Sequence, residues 1–233
     1  MIRVAIDNPG PWFQRLGARR YEMPVASFTG ATSVAGYVEA TRGSVLGVGL
    51  LPEGWARLFG GDLSVYANRV MSLTELDPAA EALPEALQQA EHPPTVFEQW
   101  IEQRLSSGLM LDPMISRIRA MIDDPAVTRI EAIAEALGVS PRQLASMTRY
   151  YFGFTPKVLL RRGRFLRALG ATLDASPEST AALLGEAGYW DRSHFLRDAH
   201  LFLGCSIREF RRRRGALSAE AMKVRAAVIG APV

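Results

Sequence analysis

The sequence predicts an α+β protein in two parts, a β-rich mixed domain followed by an all-α domain, and three observations carry that prediction. Short Val-, Gly-, Thr- and Ser-rich apolar runs fill the first sixty residues, whereas helical periodicity fills everything after about residue 110. Charge divides the same way: residues 1–108 hold 8 Lys and Arg against 12 Asp and Glu, a net of −4, and residues 109–215 hold 17 against 11, a net of +6. The back half also repeats itself with an offset of 51 residues. The expected organisation is a regulatory, ligand-sensing or dimerisation domain over 1–108, a helical domain over 109–215 and a tail over 216–233.

In the front part, "IRVAI" (2–6), "VASFT" (25–29), "SVAGYVEA" (33–40) and "SVLGVGLL" (44–51) read as strands broken by Gly and Pro. "EGWARLFGG" after Pro52 reads as one or two helical turns. "PTVFEQWIEQRL" (94–105) places Val96, Phe97, Trp100, Ile101 and Leu105 on one side of a helix, suited to a dimer interface or to packing on its own domain. "SSGLMLD" (106–112) reads as a hinge. Trp12, Phe13, Phe28, Tyr37, Trp55 and Phe59 are either ordinary core aromatics or the lining of a ligand pocket, for which Trp12, Phe28, Tyr37 and Trp55 are the candidates.

In the back part, Ile130, Ile133, Ala134 and Leu137 follow the spacing of one helical face, and Gly138 ends that helix. Ser140, Pro141 and Gln143 open the next helix as cap, first helical residue and capping-box partner. A helix, a glycine turn and a capped helix make a helix-turn-helix. The pattern recurs with Thr180, Leu183, Leu184 and Ala187, then Gly188, then Asp191 as cap. The two second helices fall near 141–153 and 191–203. Leu144 aligns with Phe195, Tyr151 with Phe202, Gly153 with Gly204 and Thr155 with Ser206. Between the units, 155–173 reads as a basic amphipathic helix that joins them. "SIREFRRRR" (206–214) reads as a last short helix opened by a Ser206/Glu209 capping box.

This geometry suits duplex DNA. A helix-turn-helix holds its second helix proud of the surface, where a major groove admits it, and two joined units can address successive grooves. The candidate DNA-binding residues are Arg142, Gln143, Ser146 and Arg149 in the first unit and Arg192, Ser193, His194, Arg197 and His200 in the second. Arg161 and Arg211 are candidates for phosphate. Ala145 and Ser146 are short, so the second helix should carry more of the discrimination.

Other function classes fare poorly. Asp191, Ser193 and His194 sit within one helical turn and diverge by about 100° per residue, so they cannot converge as a catalytic relay. No catalytic residue, metal site or cofactor is expected, and the protein is not expected to be an enzyme. One cysteine, Cys205, leaves no internal disulfide and no Cys-based zinc site. No apolar run reaches the length of a membrane span, and no signal peptide is expected after Met1. The expected setting is the cytoplasm, with no membrane partner.

The residues now quoted resemble the AraC/XylS family of transcription regulators over about 124–214. The resemblance rests on "IAEALGVSPRQLASMTRYYFGFTPKVLLRRGRFLRAL" and on "AGYWDRSHFLRDAHLFLGCSIREFRR", where Gly188, Tyr189, Asp191, Ser193, His194, Phe195, Arg197, Gly204, Ser206, Phe210 and Arg211 match the family signature in register. It implies a homeodomain-like, twin helix-turn-helix DNA-binding domain controlled by a small-molecule effector or other signal at the N-terminal domain, with homodimerisation as a further option. Thr148 and Ala199 stand where the family usually has a bulky aromatic, Gly185 where it has a large apolar residue and Ile207 where proline is common, which points either to a domain looser than its relatives or to one repacked around Leu184, Leu201 and Phe202. The alternative is a small-molecule-binding or protein-interaction module whose helix-turn-helix half is degenerate.

Overall fold

The computed structural model describes residues 1–7, 10–40, 42–106, 109–173 and 175–213. The tail expected at 216–233, Arg214 at the end of the arginine run and residues 107–108 of the expected hinge lie outside the described residues. The strand-rich front and helical back are both present.

The strands form two antiparallel sheets. The first has the order β6 (Ser44–Val48), β1 (Ile2–Asp7), β4 (Ala26–Thr29), β7 (Val70–Ser72). Register puts Ile2 opposite Phe28 on one side and Val48 on the other. With a side-chain period of two, Ile2 and Val4 project to one face with Phe28 and Ala26 beside them, and all four are buried. Trp55, on α1 (Pro52–Leu58), stacks on Phe28 with ring centroids 5.3 Å apart. Leu83 and Leu87 of α2 (Leu83–Gln89) and Phe97 of α3 (Pro93–Ser106) complete this core. Val96, Trp100 and Ile101 of α3 also pack against it, so the apolar side read from 94–105 serves its own unit.

The second sheet has the order β3 (Arg19–Glu22), β2 (Phe13–Leu16), β5 (Gly36–Glu39). Strands β2 and β3 were not apparent from the apolar pattern, because the buried face of β2 holds Gln14 beside Leu16. Gln14 is tolerated there because its Oε1 accepts from Arg3 Nη1 at 3.0 Å and from the Thr29 hydroxyl at 2.8 Å. Gly17, at φ 58°, makes the tight reversal into β3.

From residue 113 on, every regular element among the described residues is helical: α4 (Pro113–Asp123), α5 (Ile130–Leu137), α6 (Pro141–Phe152), α7 (Pro156–Thr172), α8 (Pro177–Glu186), α9 (Arg192–Leu203) and α10 (Ile207–Arg213). Contacts divide the chain into two compact units. One comprises 1–32, 36–116 and 145–154; the other comprises 33–35, 117–144 and the residues from 155 on. The last turns of α6 thus cluster with the strands. Within that unit the Tyr151 hydroxyl donates to Asp112 Oδ2 at 3.0 Å. Within the helical unit the Ala35 N–H donates to the Phe202 carbonyl at 2.6 Å.

Candidate nucleic-acid interface

The first helix-turn-helix is α5–α6. Ile133, Ala134 and Leu137 are the buried residues of α5. Gly138, at φ 67° and ψ 32°, takes the left-handed conformation that ends the helix, and the N–H groups of Gly138 and Val139 return to the Glu135 and Ala134 carbonyls. Ser140 and Gln143 then form a reciprocal capping box: Ser140 Oγ accepts the Gln143 N–H at 3.2 Å and Gln143 Oε1 accepts the Ser140 N–H at 2.8 Å. Along α6, Leu144, Thr148 and Phe152 are buried, and Arg142, Gln143, Ser146, Arg149 and Tyr150 are exposed. Gln143 is therefore on the open face, with its carbonyl oxygen committed to the cap.

The second is α8–α9. Ser176 Oγ accepts the Ser179 N–H at 3.3 Å to open α8. Gly188 stands at φ 78°, and the Tyr189 N–H donates back to the Leu184 carbonyl at 2.9 Å. Asp191 caps α9 by accepting the His194 N–H at 2.7 Å, so its carboxylate serves the helix end and not the imidazole. The His194 ring lies edge-on to Tyr189 with centroids 4.9 Å apart, half-buried. Phe195, Asp198, Ala199, Phe202 and Leu203 face inward; Arg192, Ser193, Arg197 and His200 face solvent. Phe165 of α7 fills the space beside the small Ala199, with its ring 5.6 Å from Phe195 and 5.3 Å from Phe202.

Asp198 is the residue that the sequence reading passed over. It is fully buried, and its carboxylate gathers three partners. Arg161 donates from Nε at 2.8 Å and from Nη2 at 2.6 Å to Oδ1. Tyr189 donates its hydroxyl to Oδ2 at 2.8 Å, and Arg164 Nη2 lies 3.8 Å from Oδ2. Burial, and then the hydrogen bond to Asp198 and its charge, push the Tyr189 phenol well above its ordinary value of 10.0. Only a charge-satisfied carboxylate survives such burial, and this one ties the joining helix α7 to α9. The signal was a polar residue beside Ala199 on the inward stripe of α9.

Arg161 and Arg211, expected at phosphates, have partners inside the protein. Arg161 binds Asp198, and Arg211 Nη2 donates to the Thr172 carbonyl at 2.7 Å, at the end of α7. The repacking expected around Gly185 also takes another form. Leu184 and Phe202 are buried, but Leu201 is 47% exposed, and a Cβ on Gly185 would meet only open space. No large side chain is missed there because the site faces out. The α10 capping box is half formed, with Ser206 Oγ accepting the Glu209 N–H at 3.2 Å.

The four pocket candidates do not gather at one place. Phe28 and Trp55 are core residues in mutual contact. Trp12 donates its indole N–H to the Arg42 carbonyl at 3.1 Å and lines a shallow hollow with Arg3, Met23 and Val25. The Tyr37 ring lies under Arg15, 5.3 Å away, on the second sheet. Among the described residues no group of three or more His, Cys, Asp or Glu is placed to hold a metal ion, and no helix is long and apolar enough to cross a membrane.

Residues 133–213 match a family model described as a helix-turn-helix domain, of the AraC type. The match spans both units just described, from α5 to α10, and supports a DNA-binding transcriptional regulator. This domain type is regulatory and not catalytic. No curated protein and no solved structure matches the chain.

Proposed function

From the AraC-type helix-turn-helix domain that the chain carries at residues 133–213, we propose that the protein regulates transcription by reading two successive major grooves with α6 and α9, under the control of a signal received at residues 1–108. The observation that carries this reading is the outward face of α9. Arg192, Ser193, Arg197 and His200 stand exposed on a helix whose inner face is fixed by aromatic packing and by the Asp198 cluster. Rigid presentation of arginines is what bidentate reading of guanine O6 and N7 requires. Arg142, Gln143, Ser146 and Arg149 offer a second face on α6, with the Gln143 carbonyl oxygen held by the cap.

Selection of bound sites from random duplexes tests it. The expected product is a reproducible motif with two blocks about one helical turn apart, roughly 34 Å. The second block should depend on Arg192 and Arg197. A pool that never converges, with binding that disappears in moderate salt, would leave a protein-interaction or small-molecule-binding module instead.

A further inference from the structure

The chain has four tryptophans. Trp12 and Trp55 are buried and Trp100 packs partly buried against the strand-rich core, whereas Trp190 leaves 94% of its surface in solvent. A large aromatic ring gains more than most side chains from burial, and this one gains almost none from the fold. The turn that carries it is firmly built. Gly188 sets the reversal, Tyr189 is anchored through its N–H to Leu184 and through its hydroxyl to Asp198, and Asp191 caps α9. Trp190 lies between the anchored tyrosine and the cap, so a fixed backbone holds the indole out. Among the described residues no ring or cation stacks on it.

Its neighbourhood selects the partner. Arg192 follows two residues on, then Ser193, then Arg197 one turn later, all exposed. Two acidic residues flank the turn: Asp191, whose Oδ1 is engaged by the cap, and the exposed Glu186, which ends α8. An exposed indole in a cationic setting suits a polyanion that also offers apolar surface. Resting on the reading of α9 as a DNA reader, we infer that Trp190 is a further DNA-contacting residue. Its indole packs on the apolar surface of the duplex at the rim of the groove that α9 enters, against a thymine methyl group or a deoxyribose ring.

The position of Trp190 makes the test spectroscopic. Iodide quenching of tryptophan emission in the full chain reports chiefly Trp190, because the other three indoles are buried or partly buried. With duplexes recovered by selection, and with random-sequence duplex at low salt, the quenching constant should fall severalfold on DNA binding. W190F should show weak quenching with and without DNA. W190A, with unchanged circular dichroism and melting temperature, should bind about tenfold more weakly. Uracil in place of thymine separates the two sources: a matching loss in wild type assigns the methyl group, and no loss assigns the sugar. Wild-type binding in a mobility shift with unchanged quenching, or equal binding by W190A, overturns the inference and leaves α9 as a reader. Wild type that binds no duplex even at low salt removes the reading of α9 and this contact with it. Shielding that grows with protein concentration without DNA assigns the indole to a second copy of the chain and also overturns it.

Discussion

Helices α6 and α9 are both twelve residues long, both open with a side-chain cap and both expose two arginines, yet they are secured by different physics. On α9 the inward stripe combines Phe195 and Phe202 with a carboxylate bound by Arg161, Tyr189 and Arg164. On α6 the repeat puts Met147 where α9 has Asp198, and the inward stripe is Leu144, Thr148 and Phe152. The Thr148 hydroxyl bonds within its own helix, donating to the Ala145 carbonyl at 3.2 Å. Apolar packing is tolerant of small rotations, and a directed ion cluster is not. Angular precision is therefore concentrated at α9.

The largest effect should come from breaking that asymmetry at its centre. Asp198→Ala should destabilise the protein by about 2–3 kcal/mol, the low side of the loss for a broken buried pair, because Arg161 keeps 41% of its side chain exposed and can turn to water. Met147→Ala on α6 should cost less, about 1–2 kcal/mol, since only half-buried apolar contact is lost. Denaturant unfolding of the two variants checks the order, and equal losses would mean that the cluster does not distinguish the helices.

The next effect is on recognition. Arg197→Ala should cost about 1–3 kcal/mol against the selected site and relax preference at one base position, while Arg149→Ala should cost less and affect sequences more evenly. Competition binding with single-base variants of the site separates the two. A larger loss for Arg149 would place the discrimination on α6.

The caps should follow, with Asp191→Ala and Ser140→Ala each costing about 1 kcal/mol. A deeper loss at Asp191 in DNA binding than in thermal unfolding would show that the turn carrying Trp190 matters to contact as well as to folding.

The smallest effect is a pH signature confined to the α9 side. The Tyr189 phenol is raised above 10.0 in the folded chain, chiefly by burial and then by Asp198. The unfolded chain ionises first as pH rises, so this contribution is complete below pH 10 and is lost progressively as pH climbs toward the folded value. Wild type should therefore lose stability faster than Tyr189→Phe between neutral pH and the alkaline range, measured by melting temperature. Parallel curves would deny the phenol–carboxylate bond its role.

The same contrast shows what could be read from residue order. Ser140 with Gln143, Gly138, Gly188, Asp191 and Gly204 act within a few positions of themselves, so their geometry is written in adjacent letters. The inward and outward faces of α6 and α9 follow from helical period alone, and so the exposed positions of Arg142, Arg149, Arg192 and Arg197 were legible. Arg161 was not, because its partner lies 37 residues away and nothing local tells an arginine aimed at solvent from one aimed at a carboxylate. Strand β2 was hidden for a similar reason: Gln14 breaks the apolar alternation, and the Arg3 and Thr29 groups that make it tolerable come from other strands. Leu201 was misjudged because hydrophobicity does not reveal on which side of a stripe's edge a residue falls.

The turn of Arg161 and Arg164 toward Asp198 has a thermodynamic corollary. The one carboxylate of Asp198 offsets one of these two cations, and a cation so offset displaces no condensed sodium or potassium from a duplex. The logarithmic dependence of affinity on salt should be shallower than seventeen basic residues in 109–215 would suggest. Freeing these two arginines, by removing Asp198, should steepen that line even as the fold loosens.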